Sequence, residues 1–152
     1  MRFAHVTPHG PADPRLALIE GEEAIIVADL FDGAPKTLDA LIAGGDELLE
    51  RVRDAAASAL SRLPLSGATY ASVLLDPPVI LAIGLNYAAP STELGLKTDS
   101  TPTVFALWPN SLAGHDATTT WPRSLSESVD YEAELGVIIG RPAKDVSPEE
   151  AL

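Results

Sequence analysis

The run from Val129 to Gly140 constrains the fold of this chain most strongly, because it has the periodicity of a β-strand with charge on one face. Alternate side chains of a strand point to opposite faces of a sheet. The carboxylates Asp130, Glu132 and Glu134 would therefore share one face. The other face is apolar and comprises Tyr131, Ala133, Leu135, Val137 and Ile139. The pattern predicts a strand that lies on a core and turns its carboxylates away from it.

Three carboxylates on one strand face repel one another, so either bulk water or a cation must offset their charge. The simpler interpretation is a solvated face on an exposed strand. The alternative is a site for a hard metal ion, since oxygen-only donors suit Mg²⁺, Mn²⁺ or Ca²⁺. The pattern of residues by itself leaves both interpretations open.

The composition excludes several classes of function. The chain has 152 residues and a formal net charge of −12, which argues against nucleic acid or an anionic membrane as a partner. Cysteine is absent, which excludes disulfides, zinc–thiolate sites and thiol catalysis. Met1 to Gly10 lacks the apolar core of a signal peptide, and the longest apolar run, Val79 to Ile83, is too short to cross a bilayer. We therefore expect a soluble cytoplasmic protein.

Residues 1–77 have the pattern of a small leading α/β unit. Strands are predicted over Arg2–Val6, Arg15–Glu20 and Ala24–Asp29. The second and third strands flank Gly21-Glu22-Glu23, a sequence typical of a hairpin turn. His5 and His9 have no other metal-type ligands at useful spacing, and we interpret them as structural or exposed.

Two helices are expected to follow in the same unit. A short helix over Thr37–Ala43 is predicted to end at Gly44-Gly45, because glycine interrupts helices. Asp46 is then expected to cap an amphipathic helix that reaches about Ser61. The apolar side of that helix comprises Leu48, Leu49, Val52, Ala55, Ala56, Ala59 and Leu60.

Asp76-Pro77-Pro78 marks the expected boundary between the leading unit and a second unit over residues 78–152. Proline restricts its own backbone and that of the preceding residue, which predicts an extended connector. An apolar strand over Val79–Ile83 follows and ends at Gly84, where glycine permits a sharp turn. Further strands are predicted over Thr103–Leu107 and within Ala113–Pro122.

Motifs of this second unit, in their order and spacing, resemble the fumarylacetoacetate hydrolase family. They are Ile83-Gly84-Leu85-Asn86-Tyr87, Val104-Phe105 leading to Pro109-Asn110-Ser111-Leu112-Ala113-Gly114, Val129-Asp130-Tyr131-Glu132-Ala133-Glu134-Leu135, and Ile138-Ile139-Gly140-Arg141. The resemblance implies an α+β chain, commonly homodimeric. In it, a small leading α/β unit (residues 1–77) precedes the first part of a mixed β-roll (residues 78–152).

By that resemblance, the chain is expected to act on acylpyruvates or related 2-oxo acids as a hydrolase, decarboxylase or isomerase that uses Mg²⁺ or Mn²⁺. The Glu-x-Glu metal pair of the family falls on Glu132 and Glu134, which favours the metal-site interpretation. Asp130 has no ligand role in the family pattern and is interpreted as a neighbour. The substrate-binding positions fall on Asn86, Tyr87 and Ser111.

Two departures from the family pattern place the catalytic activity in question. Smaller members have a His-x-x-Glu dyad that activates water, and here the segment is Pro90-Ser91-Thr92-Glu93. Proline cannot transfer a proton, which leaves Glu93 as the catalytic candidate. Members often carry a lysine two residues after the phenylalanine of the next strand, where this chain has Leu107. His115 or Lys97 could replace these groups, although their spacing gives no support.

The segment from Val146 to Glu150 has the sequence of a helix start, with Ser147 as N-cap and Glu150 closing a capping box. By the resemblance, family members continue from here into a helix and an aspartate that completes the metal site. We therefore expect this chain to be the first half of a longer, truncated fold. It would exist as a homo-oligomer or be completed by a second polypeptide.

Three functional interpretations follow. The first is a metal-dependent enzyme of the acylpyruvate hydrolase and decarboxylase type with impaired or altered chemistry. The second is a non-catalytic relative that binds a ligand or assembles with another subunit, which Pro90 and Leu107 favour. The third is an acidic structural domain with a solvated Glu-x-Glu face. The expected ligand is a small 2-oxo acid, with neither nucleic acid nor membrane as partner.

Overall fold

The computed structural model describes residues 1–84 and 102–151 of the chain. These residues contain two antiparallel sheets, one of four strands in the order β1-β2-β3-β4 and one of two strands, β5 and β6. The strands are β1 Phe3–Val6, β2 Arg15–Glu20, β3 Glu23–Ile26, β4 Leu63–Pro64, β5 Ile80–Gly84 and β6 Thr103–Leu107. Mixed α and β structure with small sheets and few helices agrees with the predicted α+β class.

The predicted hairpin of the leading residues is present. Glu20 pairs with Glu23, so Gly21 and Glu22 form a two-residue loop. Gly21 has a φ of 59°, a conformation that glycine adopts without strain. β3 is shorter than predicted because the chain enters a 3₁₀ helix over Val27–Asp29. Within that helix Asp29 accepts a hydrogen bond from Arg15 at 2.8 Å, which ties the helix to the start of β2.

Two α-helices pack on this sheet, α1 over Leu38–Ala43 and α2 over Gly45–Ala57. The predicted helix α1 is present but begins one residue later, because Thr37 is its N-cap and the Thr37 hydroxyl accepts a hydrogen bond from Ala40 N at 3.2 Å. In the described residues, no helix has the length and apolarity needed to cross a membrane.

The predicted cap of α2 is wrong. Gly44 occupies the N-cap position, and Asp46 lies in the first turn, where its charge still complements the helix dipole. The two helices follow each other so directly that Gly44 ends α1 and begins α2. The predicted C-terminal end of α2 is also wrong, because the helix ends at Ala57 rather than near Ser61.

The hydrophobic core lies between the four-stranded sheet and the helices. Its buried members are Leu16, Leu18, Ile25, Val27, Leu41, Val52 and Ala56. The predicted helix face is therefore correct at its centre, whereas Leu60 lies beyond the end of α2 and is fully exposed. Apart from Pro77, the buried hydrophobic side chains of the described residues all lie between Val6 and Ala56.

After β4 the chain returns to β1, and neither β4 nor this return was predicted from the sequence. β4 pairs with β3, and Val6 then forms an isolated bridge with Tyr70. On either side of that bridge, Thr7 N donates to Thr69 O and Ala71 N donates to His5 O, both at 2.9 Å. The chain between residues 63 and 71 thus pairs first with β3 and then with β1.

The strands β5 and β6 form at the predicted positions, with Ile80 paired to Leu107 and Gly84 paired to Thr103. The strand predicted over Val129–Gly140 is not formed, and the one predicted within Ala113–Pro122 is not formed either; these described residues contain neither helix nor strand. The side chains of the predicted apolar face are exposed, at 88% for Tyr131, 82% for Leu135 and 76% for both Val137 and Ile139. Alternation shows which side chains would share a face, but a strand also requires partners for its backbone groups.

The capping box predicted near the end of the chain is present. Ser147 N donates to Glu150 Oε2 at 3.0 Å, and Glu150 N donates to Ser147 Oγ at 3.3 Å. Ala151 N also donates to Ser147 O at 3.1 Å, which closes one turn. Hydrogen bonding from the Ser147 backbone, and secondly from its side chain, holds the pKa of Glu150 below its ordinary value.

We expect Leu16→Ala to lower the free energy of unfolding by about 2–5 kcal/mol, because it removes buried contacts and leaves a cavity. Leu16 is 1% exposed, whereas Leu60 is fully exposed and provides a matched control of the same residue type. Leu60→Ala should change the free energy of unfolding by less than about 0.5 kcal/mol. Urea unfolding followed by circular dichroism measures both variants, and equal effects would contradict the assigned core.

We expect Ser147→Ala to raise the pKa of Glu150 towards its ordinary value, because the substitution removes the hydroxyl of the capping box. Since the folded pKa is lowered, the box stabilises its turn above the ordinary pKa of glutamate and loses that effect as the pH falls through the lowered value. A carboxyl ¹³C NMR titration measures this, with the adjacent Glu149 as a residue that should not respond. An unchanged Glu150 titration would show that the box does not control this carboxyl group.

Candidate metal and substrate site

Glu132 and Glu134, the predicted metal pair, lie in the irregular segment between residues 129 and 140, and both side chains are exposed. Within the part of the chain that the structure describes, neither carboxylate forms a hydrogen bond or an ion pair. An ionised carboxylate offers only acceptor oxygens. The two groups are therefore available to a cation, and both lie open to solvent.

Asp130 differs from the two glutamates, because its carboxylate is used locally. Asp130 Oδ1 accepts a hydrogen bond from Tyr131 N at 2.8 Å. This contact fits its interpretation as a neighbour of the pair. Across residues 1–84 and 102–151, no group of three or more His, Asp or Glu side chains could hold a metal ion. The donor set therefore suits a hard divalent ion in its chemistry, and two carboxylates would leave most of the coordination to water.

Ser111, a predicted substrate-binding residue, ends a 3₁₀ helix over Pro109–Ser111 that follows β6. Its hydroxyl donates to Trp108 O at 2.7 Å, so the proton of this hydroxyl stabilises the local turn. The oxygen can still accept a hydrogen bond from a ligand. Asn86, Tyr87 and Glu93 lie outside the described residues, as do Pro90 and Lys97.

Leu107 ends β6 and is 41% exposed, so an aliphatic side chain stands where the family often has a lysine. His115 lies 3.4 Å from Asp116 through Nε2 to Oδ2, and its ring meets Tyr70 edge-on with 5.7 Å between centroids. These contacts of His115 are with the leading residues and its own turn. They give no support to its use in place of the missing dyad histidine.

Two contacts that the sequence did not predict hold the family-like residues on the leading unit. A Cβ atom at Gly114 would lie 1.9 Å from Tyr70 O, so only glycine permits this approach. Arg141 donates to Asp46 Oδ2 at 2.9 Å, with both side chains 81% exposed. In the sequence, Glu132 and Glu134 lie between Gly114 and Arg141, the two residues that make these contacts. Gly114 was visible as part of a motif, but its partner is 44 residues away in sequence and has no local signal.

Comparison with known proteins agrees with the motifs. Residues 79–152 match the family model described as fumarylacetoacetate (FAA) hydrolase C-terminal. Relatives in the same family also match, and they extend the similarity into the leading residues. The chain therefore belongs to the fumarylacetoacetate hydrolase family, and the resemblance of its motifs is confirmed.

The relatives include tautomerases, isomerases and decarboxylases. The mitochondrial oxaloacetate tautomerase of Rattus norvegicus is 28% identical over 143 residues, which cover 92% of this chain and 45% of that protein. Its human counterpart is 30% identical over 142 residues, covering 91% and 45%. The homoprotocatechuate catabolism bifunctional isomerase/decarboxylase of Escherichia coli is 42% identical over 73 residues, covering 48% and 17%. The chain thus spans about half the length of the tautomerases that it matches.

Proposed function

We propose that this chain supplies the carboxylate pair of a divalent-metal-dependent protein that acts on acylpyruvates or related 2-oxo acids such as oxaloacetate. The observation that carries the proposal is the position of Glu132 and Glu134. By the resemblance of the motif they fall on the family's metal pair, and in the described residues both carboxylates are exposed and form no other bond. Tautomerase and isomerase/decarboxylase relatives support this class of reaction.

Charge explains why such a protein needs a cation. A 2-oxo acid is an anion, and the chain itself has a formal net charge of −12. Without a positive group the substrate would be repelled. A Mg²⁺ or Mn²⁺ ion held by Glu132 and Glu134 would supply that charge and polarise the oxo-acid oxygens. Leu107 adds no positive charge of its own, so the requirement for the metal is greater here than with a lysine at that position.

We propose that the chemistry itself is impaired. Tautomerisation, decarboxylation and hydrolysis of 2-oxo acids each need a proton to be moved, and Glu93 is the remaining candidate base. Loss of general-base assistance typically costs about 10²–10⁴ in rate. Loss of one electrostatic contact to the developing charge, as with Leu107 for lysine, costs a further ~10²–10³. Pro90 and Leu107 both belong to this chain, so a second polypeptide that completed the fold would not restore the histidine or the lysine at these positions.

A non-catalytic role is the second candidate, and Pro90 and Leu107 favour it. Such a relative would keep the carboxylate pair and bind a 2-oxo acid, or assemble with a second copy or another polypeptide into a mixed β-roll. It would bind ligand and metal without turnover. Measurement of binding and turnover on the same sample separates the two roles.

We expect the chain to bind Mn²⁺ weakly at one site, because two carboxylates without a third protein ligand leave most coordination positions to water. Calorimetric titration of Mn²⁺ into the wild type should show this site. The double variant Glu132→Gln with Glu134→Gln should lose it.

The control for this titration must remove the same amount of charge elsewhere, because an acidic chain attracts cations without a site. Glu47→Gln with Glu50→Gln removes two exposed carboxylates from α2 and should leave the isotherm unchanged. Indistinguishable isotherms for the Glu132/Glu134 variant and the wild type would exclude the metal assignment.

We expect metal-dependent turnover of oxaloacetate to be absent or very slow, and to rise at least about 10²-fold on Pro90→His with Leu107→Lys. The assay should use this chain and a chimera that joins it to the remaining half of the human relative. The chimera with the same two substitutions is the matched comparison. Fast turnover by the unsubstituted proteins would contradict the proposal of impaired chemistry. Ligand binding with no turnover in any version would favour the non-catalytic role.

A further inference from the structure

His5 is a titratable side chain in the interior of the leading unit. It is the third residue of β1 and is 1% exposed. Its Nδ1 atom lies 3.1 Å from Ser72 O, and its Nε2 atom accepts a hydrogen bond from Leu38 N at 3.4 Å. Both ring nitrogens are thus engaged with backbone atoms of two other parts of the chain.

These partners define the protonation state of the imidazole. A carbonyl oxygen can only accept, so Nδ1 carries the hydrogen that is donated to Ser72 O. A backbone amide can only donate, so Nε2 must be without hydrogen to accept from Leu38 N. A protonated imidazole has N–H groups at both positions and would oppose the Leu38 amide with a second donor. The observed arrangement therefore requires the neutral ring.

Each partner of His5 begins or ends a structural element. Leu38 is the first residue of α1, and the first amides of a helix have no acceptor within it. Ser72 follows the bridge between Val6 and Tyr70, and Ala71 N donates to the backbone carbonyl of His5 at 2.9 Å. One residue of β1 thus fixes the start of α1 with its ring, and the segment Tyr70–Ser72 with its ring and backbone.

The segment Tyr70–Ser72 also contacts the family-matched residues on its other side. Gly114 approaches Tyr70 O too closely to admit a Cβ atom, and the His115 ring meets the Tyr70 ring edge-on. Tyr70–Ser72 therefore lies between His5 of the core and residues 114–115. Loss of the bonds from His5 would loosen the surface that receives Gly114.

We propose that His5 is a proton-sensitive joint. In its neutral form it holds the start of α1 and the segment Tyr70–Ser72 on β1, and protonation releases both, which weakens the contact between the leading unit and residues 114–115. The proposal rests on the hydrogen bonds of His5 and is independent of the metal site and of any catalytic activity.

The charged groups on the elements next to His5 have other positions or partners. On β2, Arg15 is paired with Asp29 at 2.8 Å. On α1, Asp39 lies in the first turn. Beyond Tyr70, Asp116 is paired with His115 at 3.4 Å. Among the described residues, none of these carboxylates forms an ion pair or hydrogen bond with His5, so a positive charge there would be buried without a partner.

The direction of the pH dependence follows from proton binding. An unfolded chain takes up a proton at an ordinary histidine near about pH 6.5, whereas the folded chain must break the Leu38 bond to do so. Because protonation of the ring would cost the folded chain its bond from Leu38 N, we expect stability to fall as the pH falls. One such group lowers the folding equilibrium constant by at most about tenfold per pH unit.

The test compares His5→Gln and His5→Asn with the wild type in urea unfolding at about pH 7.5 and about pH 5.5. Glutamine can accept near the Nε2 position, asparagine can donate near the Nδ1 position, and neither titrates. His9→Gln is the matched control, since His9 is exposed. On acidification, the folding equilibrium constant of the wild type and of the His9 control should fall at least about fivefold more than that of the His5 variants. An equal loss in His5→Gln and the wild type would overturn the proposal.

A second measurement needs no variant and covers the case in which substitution prevents folding. In the wild type, ¹⁵N NMR of the ring should show hydrogen on Nδ1 and none on Nε2 at about pH 7.5. Hydrogen exchange, corrected for its intrinsic pH dependence, should show Leu38 and Ala71 amides losing protection on acidification before the amide of Val52. Hydrogen on Nε2, or equal loss of protection at all three amides, would overturn the proposal.

Discussion

Burial of apolar side chains between the four-stranded sheet and α2 is the interaction on which the rest of the structure depends. Leu16, Ile25 and Val52 are at most 1% exposed. By contrast, β5 and β6 form a two-stranded sheet, an arrangement of marginal stability by itself, and the side chains of β6 are exposed. The family-matched residues thus take part of their position from a core to which they contribute little, through the contacts of Gly114 and Arg141 with the leading unit.

Local signals predicted local structure well. The strand Thr103–Leu107 has the predicted bounds, and the predicted Ser147–Glu150 capping box is formed, because each signal comes from residues within a few positions. β4 has two residues and gives no periodicity to detect. Gly44 replaces Asp46 as the cap because two helices share one junction, which is a property of the pair rather than of either helix.

Contacts between distant residues could not be predicted in the same way. The motifs were sufficient to identify the family, since they are read in order along the chain. The role of His5 was hidden, because its partners are backbone atoms 33 and 67 residues away and backbone atoms have no sequence signature. The strand expected over residues 129–140 was not formed, and here too the missing information concerns distant residues. Its alternation is clear, yet a ladder depends on a partner that the segment itself does not specify.

That alternation nevertheless connects the apolar residues of the segment to its carboxylates. If Leu135 and Val137 were buried in a strand, Glu132 and Glu134 would be placed on the opposite face, about 7 Å apart at Cα from a rise of about 3.3 Å per residue. At that spacing both carboxylates can reach one ion, whereas an irregular chain leaves their separation undefined. A ligand that binds one conformation stabilises it by mass action. Under the proposed metal assignment, metal binding at the pair and formation of the strand would therefore favour each other.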